Sequence, residues 1–253
     1  MRYNHQVMKI QKLNFDSLSK TFIDVANQSI TEHGRFLVAL SGGSTPMKLY
    51  EKLAALREKL DWTRVHFFWG DERCVPMDDA GNNYGQAKKV LFDKIDTTNI
   101  HRINTDPSTG SGQRLPPASA ATDYASTLKF FGEPPLNFPR FDLVLLGLGE
   151  DGHTASLFPN SPVDGNEPVI AVTAHYQDRP ANRITLTQKV FNEAKEIWFL
   201  VTGKSKAGIL NTVINGEKNL ELYPAQRIQP KNGNLIWWVD EEARTLLKTN
   251  PQI

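Results

Sequence analysis

The chain of 253 residues contains one cysteine, Cys74, which excludes an internal disulfide framework and any multi-cysteine metal site. It has almost no charge excess: 29 Lys and Arg stand against 28 Asp and Glu, a formal net charge of +1. There is thus no global electrostatic reason to bind nucleic acid or an anionic membrane. No stretch approaches the ~18 uninterrupted apolar residues of a membrane span. The opening MRYNHQVMKIQKLNF lacks an apolar h-region and a small-residue cleavage site, so no secretory signal is expected. H-E-x-x-H, G-x-S-x-G and C-x-x-C are all missing, and with them the signatures of zincin, serine-esterase and thioredoxin chemistry. Any hydrolysis would have to use water directly. These absences describe a globular protein of a reducing, cytoplasmic compartment.

What is present is a repeated pattern. Phe36–Leu40 (FLVAL), Val65–Trp69 (VHFFW), Phe141–Leu146 (FDLVLL), Ile197–Val201 (IWFLV) and Leu235–Val239 (LIWWV) are short apolar runs, each followed by a polar turn. Runs this apolar fit strands covered on both sheet faces. After the first, Leu49, Leu53, Leu56 and Leu60 recur at helical spacing. Strand, turn and helix in alternation predict a single α/β domain over 1–253, with a doubly wound, mainly parallel sheet and helices on both faces. Val169–Thr173 and Arg183–Thr187 alternate enough to be extra strands. Residues 106–121 (DPSTGSGQRLPPASAA) have no apolar period and read as an exposed insertion before a helix at about Thr122–Phe131.

Ligands of open α/β sheets gather at the carboxyl ends of the strands, and four turns there carry unusual residues. In Ser41-Gly42-Gly43-Ser44-Thr45-Pro46, Ser44 or Thr45 suits an N-cap and Pro46 the first helical position. Bare N–H groups at a helix start favour a phosphate or carboxylate. A capped turn without ligand explains Ser, Thr and Pro, but not the consecutive glycines. In Gly70-Asp71-Glu72-Arg73-Cys74-Val75-Pro76, charges follow directly on an apolar strand. Arg73 could clamp an oxyanion while Asp71 or Glu72 meets sugar hydroxyls; a structural ion pair is the competing explanation.

Gly147-Leu148-Gly149-Glu150-Asp151-Gly152-His153 matches G-x-G-x-x-G, yet the Glu150-Asp151 pair would repel a pyrophosphate. His153 instead offers a general base that Asp151 can orient. Thr202-Gly203-Lys204-Ser205-Lys206-Ala207 contains G-K-S, but Trp198 stands where a P-loop needs its first glycine. Lys206 can still lend charge to a phosphate, Lys204 reads as solvated, and Arg183 is a further candidate cation. His5, His33, His66, His101 and His175 read as structural or exposed.

SGGSTP, WGDERCVP and LGLGEDGHTASLFP, in this order and spacing, resemble the 6-phosphogluconolactonases, and RITLT, VTGKSKA and PAQRIQPKNGNLIWWVDEEA continue the likeness from about Phe36 to Ala243. The related glucosamine-6-phosphate deaminases look different after the acid pair and after D-G-H. The resemblance implies a Rossmann-like sheet and hydrolysis of 6-phospho-D-glucono-1,5-lactone in the pentose phosphate pathway, with no cofactor and no metal. It also implies His153 as base, with Gly43, Ser44, Thr45, Arg73, Arg183 and Lys206 handling the phosphate; the turns themselves add Asp151 beside His153, and Gly42 and Asp71 at the substrate. The only partner it implies is the phosphorylated sugar lactone, with neither nucleic acid nor membrane, and a monomer or weak oligomer is expected. An amino-sugar-phosphate deaminase and a non-catalytic sugar-phosphate sensor are the alternatives, although no helix-turn-helix module is expected in this length.

Overall fold

A computed structural model describes residues 8–105, 116–162 and 165–247. Nine strands and six α-helices follow one another along these residues: β1 Met8–Lys12, α1 Phe15–His33, β2 Phe36–Leu40, α2 Ser44–Ala55, β3 Val65–Trp69, β4 Asp71–Arg73 and α3 Asn83–Ala87. They continue with α4 Pro117–Phe130, β5 Leu143–Leu146, β6 Val169–Thr173, β7 Asn182–Leu186, α5 Gln188–Phe191, β8 Glu196–Val201, α6 Ala207–Asn215 and β9 Asn234–Val239. Six strands form one parallel sheet in the order β1-β9-β8-β5-β2-β3. All five apolar runs seen in the sequence are strands of this sheet. Every residue of β2 and β5 is buried, as expected where both faces are covered.

From β2 the chain winds outward to β3, and from β5 it winds the other way through β8 to β9. The winding therefore reverses between β2 and β5. In open α/β sheets this switch point opens a crevice at the strand ends.

A second sheet, antiparallel and in the order β4-β7-β6, stands beside the crevice. The expected strands at Val169–Thr173 and Arg183–Thr187 are its β6 and β7. Its third member, Asp71–Arg73, reads from sequence as a turn; it extends because it finds a partner in β7. One glycine joins the two sheets. Gly70 donates its N–H to Leu40 of the main sheet (2.8 Å), and its carbonyl accepts from Leu186 of the small one (2.8 Å).

The N-terminal segment adds β1 and α1, which no short apolar run marks. Asn14 caps α1 by accepting from the N–H groups of Asp16 and Ser17, and Gly34 (φ 83°) ends it. The helix expected at Thr122–Phe131 begins earlier, at Pro117. Pro117 sits where its missing N–H costs nothing, and the alanines after it are strong helix formers, so Pro-Ala-Ser-Ala-Ala is a helix start rather than the end of a loop. Residues 106–115 of the expected insertion lie outside the described residues, as does His5.

Candidate active site

At the switch point a cleft of about 280 Å3 is lined by Ser41–Pro46 after β2, Gly147–Glu150 and His153 after β5, and Thr202 and Lys206 after β8. Asp71 and Arg73 of β4, Arg183 of β7, and Tyr176, Gln177 and Arg179 of the β6–β7 loop complete it. Gly42, Gly43, Ser44, Thr45, Asp71, Arg73, Arg183, Lys206 and His153, separated by up to 164 residues in sequence, meet in one cleft. Asp151 stands behind His153 rather than on the wall.

The turn after β2 departs from expectation: α2 starts at Ser44, so Pro46 is its third residue rather than its first. Neither Ser44 nor Thr45 caps α2; the cap position is Gly43, whose φ of 104° suits a residue without Cβ, and no side chain caps the helix there. The first-turn N–H groups of α2 have no intrahelical acceptor and therefore remain available to an anion at the cleft. Gly42 is demanded by packing: a Cβ there would fall 1.7 Å from Asn83 Oδ1. Thr45 Oγ1 reaches Thr202 Oγ1 at 2.7 Å. The turn after β8 repeats the device with Gly203 (φ 94°), whose N–H is held by the Asp240 carboxylate at 3.0 Å.

The loop after β5 is folded tightly around its histidine. His153 Nδ1 lies 2.6 Å from Asp151 Oδ1, and Asp151 also accepts the His153 backbone N–H (3.1 Å). Burial pushes the Asp151 carboxyl up, but hydrogen bonding and charge from His153 outweigh it, and the net displacement is downward. In a neutral imidazole, an ionised Asp151 as acceptor places the proton on Nδ1 and leaves the Nε2 lone pair free. Gly149 makes this fold possible, because a Cβ at that position would lie 2.0 Å from His153 Nδ1. Gly152 (φ 85°) turns the chain back between them.

The cations are arranged against their own repulsion. Arg73 and Arg183 are directly paired across β4 and β7, where like charges destabilise a sheet. Arg183 is 1% exposed, and burial lowers its pKa. It donates Nε to Pro180 O (2.9 Å), whereas its buried Nη2 has no partner. Arg73 donates Nη1 to Gly81 O (2.8 Å) and leaves Nε unpartnered. A buried guanidinium nitrogen without an acceptor is costly. Lys206 is half-buried, with its pKa lowered by burial, and Glu150 Oε1 lies 3.9 Å from its Nζ. Lys204 is exposed.

The two acids after β3 divide their work. Asp71 faces the cleft and accepts the Ser156 hydroxyl at 2.6 Å. Glu72 points the other way and accepts three backbone N–H groups, from Arg73, Asn83 and Tyr84, at 2.7–2.8 Å. Burial nevertheless pushes its carboxyl up to about 7. Glu72 thus fixes the segment between β4 and α3, and of the two acids only Asp71 faces the cleft.

Tyr176, Arg179, Glu150 and Thr202 also line the cleft, although nothing in the sequence reading selects them. Tyr176 and Arg179 sit on an antiparallel connection without glycine, and the signal that could have found them was an aromatic and an arginine in a short polar loop between two strands.

An open parallel sheet with a polar switch-point cleft and an imidazole–carboxylate pair defines an α/β enzyme. The chain belongs to the glucosamine-6-phosphate isomerase/6-phosphogluconolactonase family, whose pattern matches residues 11–237. It is 40% identical over 219 residues to a 6-phosphogluconolactonase of Synechocystis, covering 85% of this chain and 86% of that one. It is 37% identical over 238 residues to one from Haemophilus influenzae, covering 92% and 94%. The crystal structure of a Thermotoga maritima 6-phosphogluconolactonase superposes with a TM-score of 0.78 at 30% identity, over 93% of this chain and all of that one.

Proposed function

We propose that this chain is a 6-phosphogluconolactonase, hydrolysing 6-phospho-D-glucono-1,5-lactone to 6-phosphogluconate with His153 as general base. The names of its relatives support the activity. The observation that carries the assignment of roles is the placing of the His153 imidazole, tied to Asp151, in the same cleft as the bare start of α2 and the cations Arg73, Arg183 and Lys206.

In this reading the substrate phosphate is gripped by the N–H groups at Gly43–Thr45 with Arg73, Arg183 and Lys206, and Asp71 meets a sugar hydroxyl. Neutral His153 takes a proton at Nε2 from a water molecule as the oxygen attacks the lactone carbonyl. Asp151 keeps the tautomer and steadies the imidazolium. When the C1–O5 bond opens, the imidazolium returns the proton to the ring oxygen, and the new carboxylic acid ionises. A positioned base of this kind contributes about 10²–10⁴-fold. Grip on the phosphate holds the carbonyl beside the base, an effect of comparable importance.

The test is acid release from freshly generated lactone, measured for the native protein and for His153→Ala. The expected result is rapid native turnover and a fall in kcat of about 10²–10⁴-fold with KM little changed. Ammonia release from glucosamine 6-phosphate, or ligand binding without any turnover, would instead select a deaminase or a sensor.

A further inference from the structure

One hydrogen bond to Asp151 fixes His153 Nδ1 but leaves the ring free to tilt about it. Two aromatic rings restrict that tilt. Phe158 lies against the imidazole with ring centroids 4.4 Å apart and planes inclined by 31°, and Tyr176 stands nearly perpendicular to it at 4.6 Å and 79°. Phe158 belongs to the same chain segment as His153. Tyr176 comes from the other sheet, on the loop between β6 and β7.

We propose that Tyr176 is a positioning residue for His153, holding the imidazole so that Nε2 is presented to the cleft. This inference rests on His153 being the base. Three observations support it. The Tyr176 hydroxyl accepts the Glu150 N–H at 3.2 Å, which ties the ring to the loop that carries Asp151 and His153. The two residues after it, Gln177 (φ 45°) and Asp178 (φ 20°), have positive φ without being glycine. Such backbone persists only where the surroundings hold it, and it clusters at active sites. Lastly, among the described residues Tyr176 is neither in the hydrophobic core nor in the layer packed on it. Its ring neighbours are His153 and the Arg179 guanidinium, both on the cleft, and Phe158, which itself lies against His153. A residue placed for fold stability would make the opposite set of contacts.

The roles of its two ends can be separated. The ring limits the tilt of the imidazole, and the hydroxyl limits the drift of the Glu150 backbone. Small displacements of a base cost rate rather than affinity, since the Michaelis complex does not need the proton to be in flight.

The experiment measures kcat and KM on the lactone for Tyr176→Ala and Tyr176→Phe, each alone and combined with His153→Ala, with thermal melts of every variant. Tyr176→Ala is expected to lower kcat about ten- to a hundredfold while KM moves less than about threefold. Tyr176→Phe, which keeps the ring, restores kcat to within about threefold of native. On the His153→Ala background Tyr176→Ala has no further effect on kcat, because a residue acting through another adds nothing once that one is gone. If alanine lowers the melting temperature, Tyr176→Leu fills the volume without the ring and carries the same test. A rise in KM at constant kcat, an additive loss in the double variant, or native kcat in Tyr176→Ala would each overturn the proposal. Native kcat in His153→Ala alone would instead overturn the underlying assignment of the base.

Discussion

Thr45 and Thr202, 157 residues apart in the chain, join their hydroxyls at 2.7 Å and so link the turns after β2 and β8. β5 lies between those two strands, and both threonines line the cleft. Each threonine is next to or near a glycine of positive φ, Gly43 or Gly203, that opens its turn toward the ligand side.

The grip on phosphate is expected to depend on this link and on Lys206. Lys206→Ala should raise KM for the phosphorylated lactone about tenfold or more, the worth of one charge-assisted hydrogen bond. Thr202→Val should raise it by a factor of about three to ten, by loosening the first turn of α2. Unphosphorylated gluconolactone serves as the control: its KM should be unaffected by either change. Equal effects on both substrates would remove Lys206 and Thr202 from the phosphate site.

Gly149→Ala should behave like a partial loss of the histidine. Its Cβ would overlap the imidazole, 2.0 Å from Nδ1 and 2.3 Å from Cε1, so the ring must leave its place beside Asp151. We expect kcat to fall about a hundredfold while circular dichroism stays native. Native kcat in this variant would show that the ring position seen here is not the working one.

At the far edge of the main sheet, His66 Nδ1 and His101 Nε2 share a hydrogen bond of 3.1 Å with their rings stacked. Burial, and then the neighbouring His66, lower the His101 pKa to about 4; burial and Arg35 lower that of His66. Between about 4 and the ordinary value of 6.5, the unfolded chain binds the His101 proton and the folded one does not. Folded stability therefore rises with pH across that window and is lost as pH falls through it. Denaturant titrations at pH 7 and pH 4.5 should show His101→Gln losing less stability on acidification than the native protein, by about 1–2 kcal/mol after allowance for partial exposure. An identical loss in both would refute the coupling.

Much of the fold was legible because burial on both faces leaves a plain mark. FLVAL, VHFFW, FDLVLL, IWFLV and LIWWV had to be interior, and all are parallel strands. Asp71–Arg73 was illegible as a strand because its pairing depends on Arg183–Thr185, more than a hundred residues away, and not on its own composition. The start of α4 was lost for the reverse reason: Pro-Ala-Ser-Ala-Ala shows no hydrophobic period in its first turn, although Ala120, Ala121, Tyr124 and Leu128 are buried further along.

In the cleft, glycines advertised the turns after β2 and β5 because close approach or positive φ required them. Tyr176 carried no such mark. The positive φ values beside it fall on Gln177 and Asp178, residue types that give no warning. Glu72 misled for a different reason, since a carboxylate next to an arginine gives no sign that its acceptors will be spent on backbone N–H groups.

The junction at Gly70 has an evolutionary consequence. Gly70 ties the small sheet to the large one, with Leu40 on one side and Leu186 on the other, and Val169, Ile184 and Leu186 of the small sheet join the hydrophobic core, so change disturbs the parallel scaffold least at the exposed Gln177–Arg179 tip of the β6–β7 connection. The turns after β2, β5 and β8 are anchored in that scaffold. Descendants of this architecture are therefore freest to vary at that exposed tip, whereas Tyr176, which touches His153, is constrained.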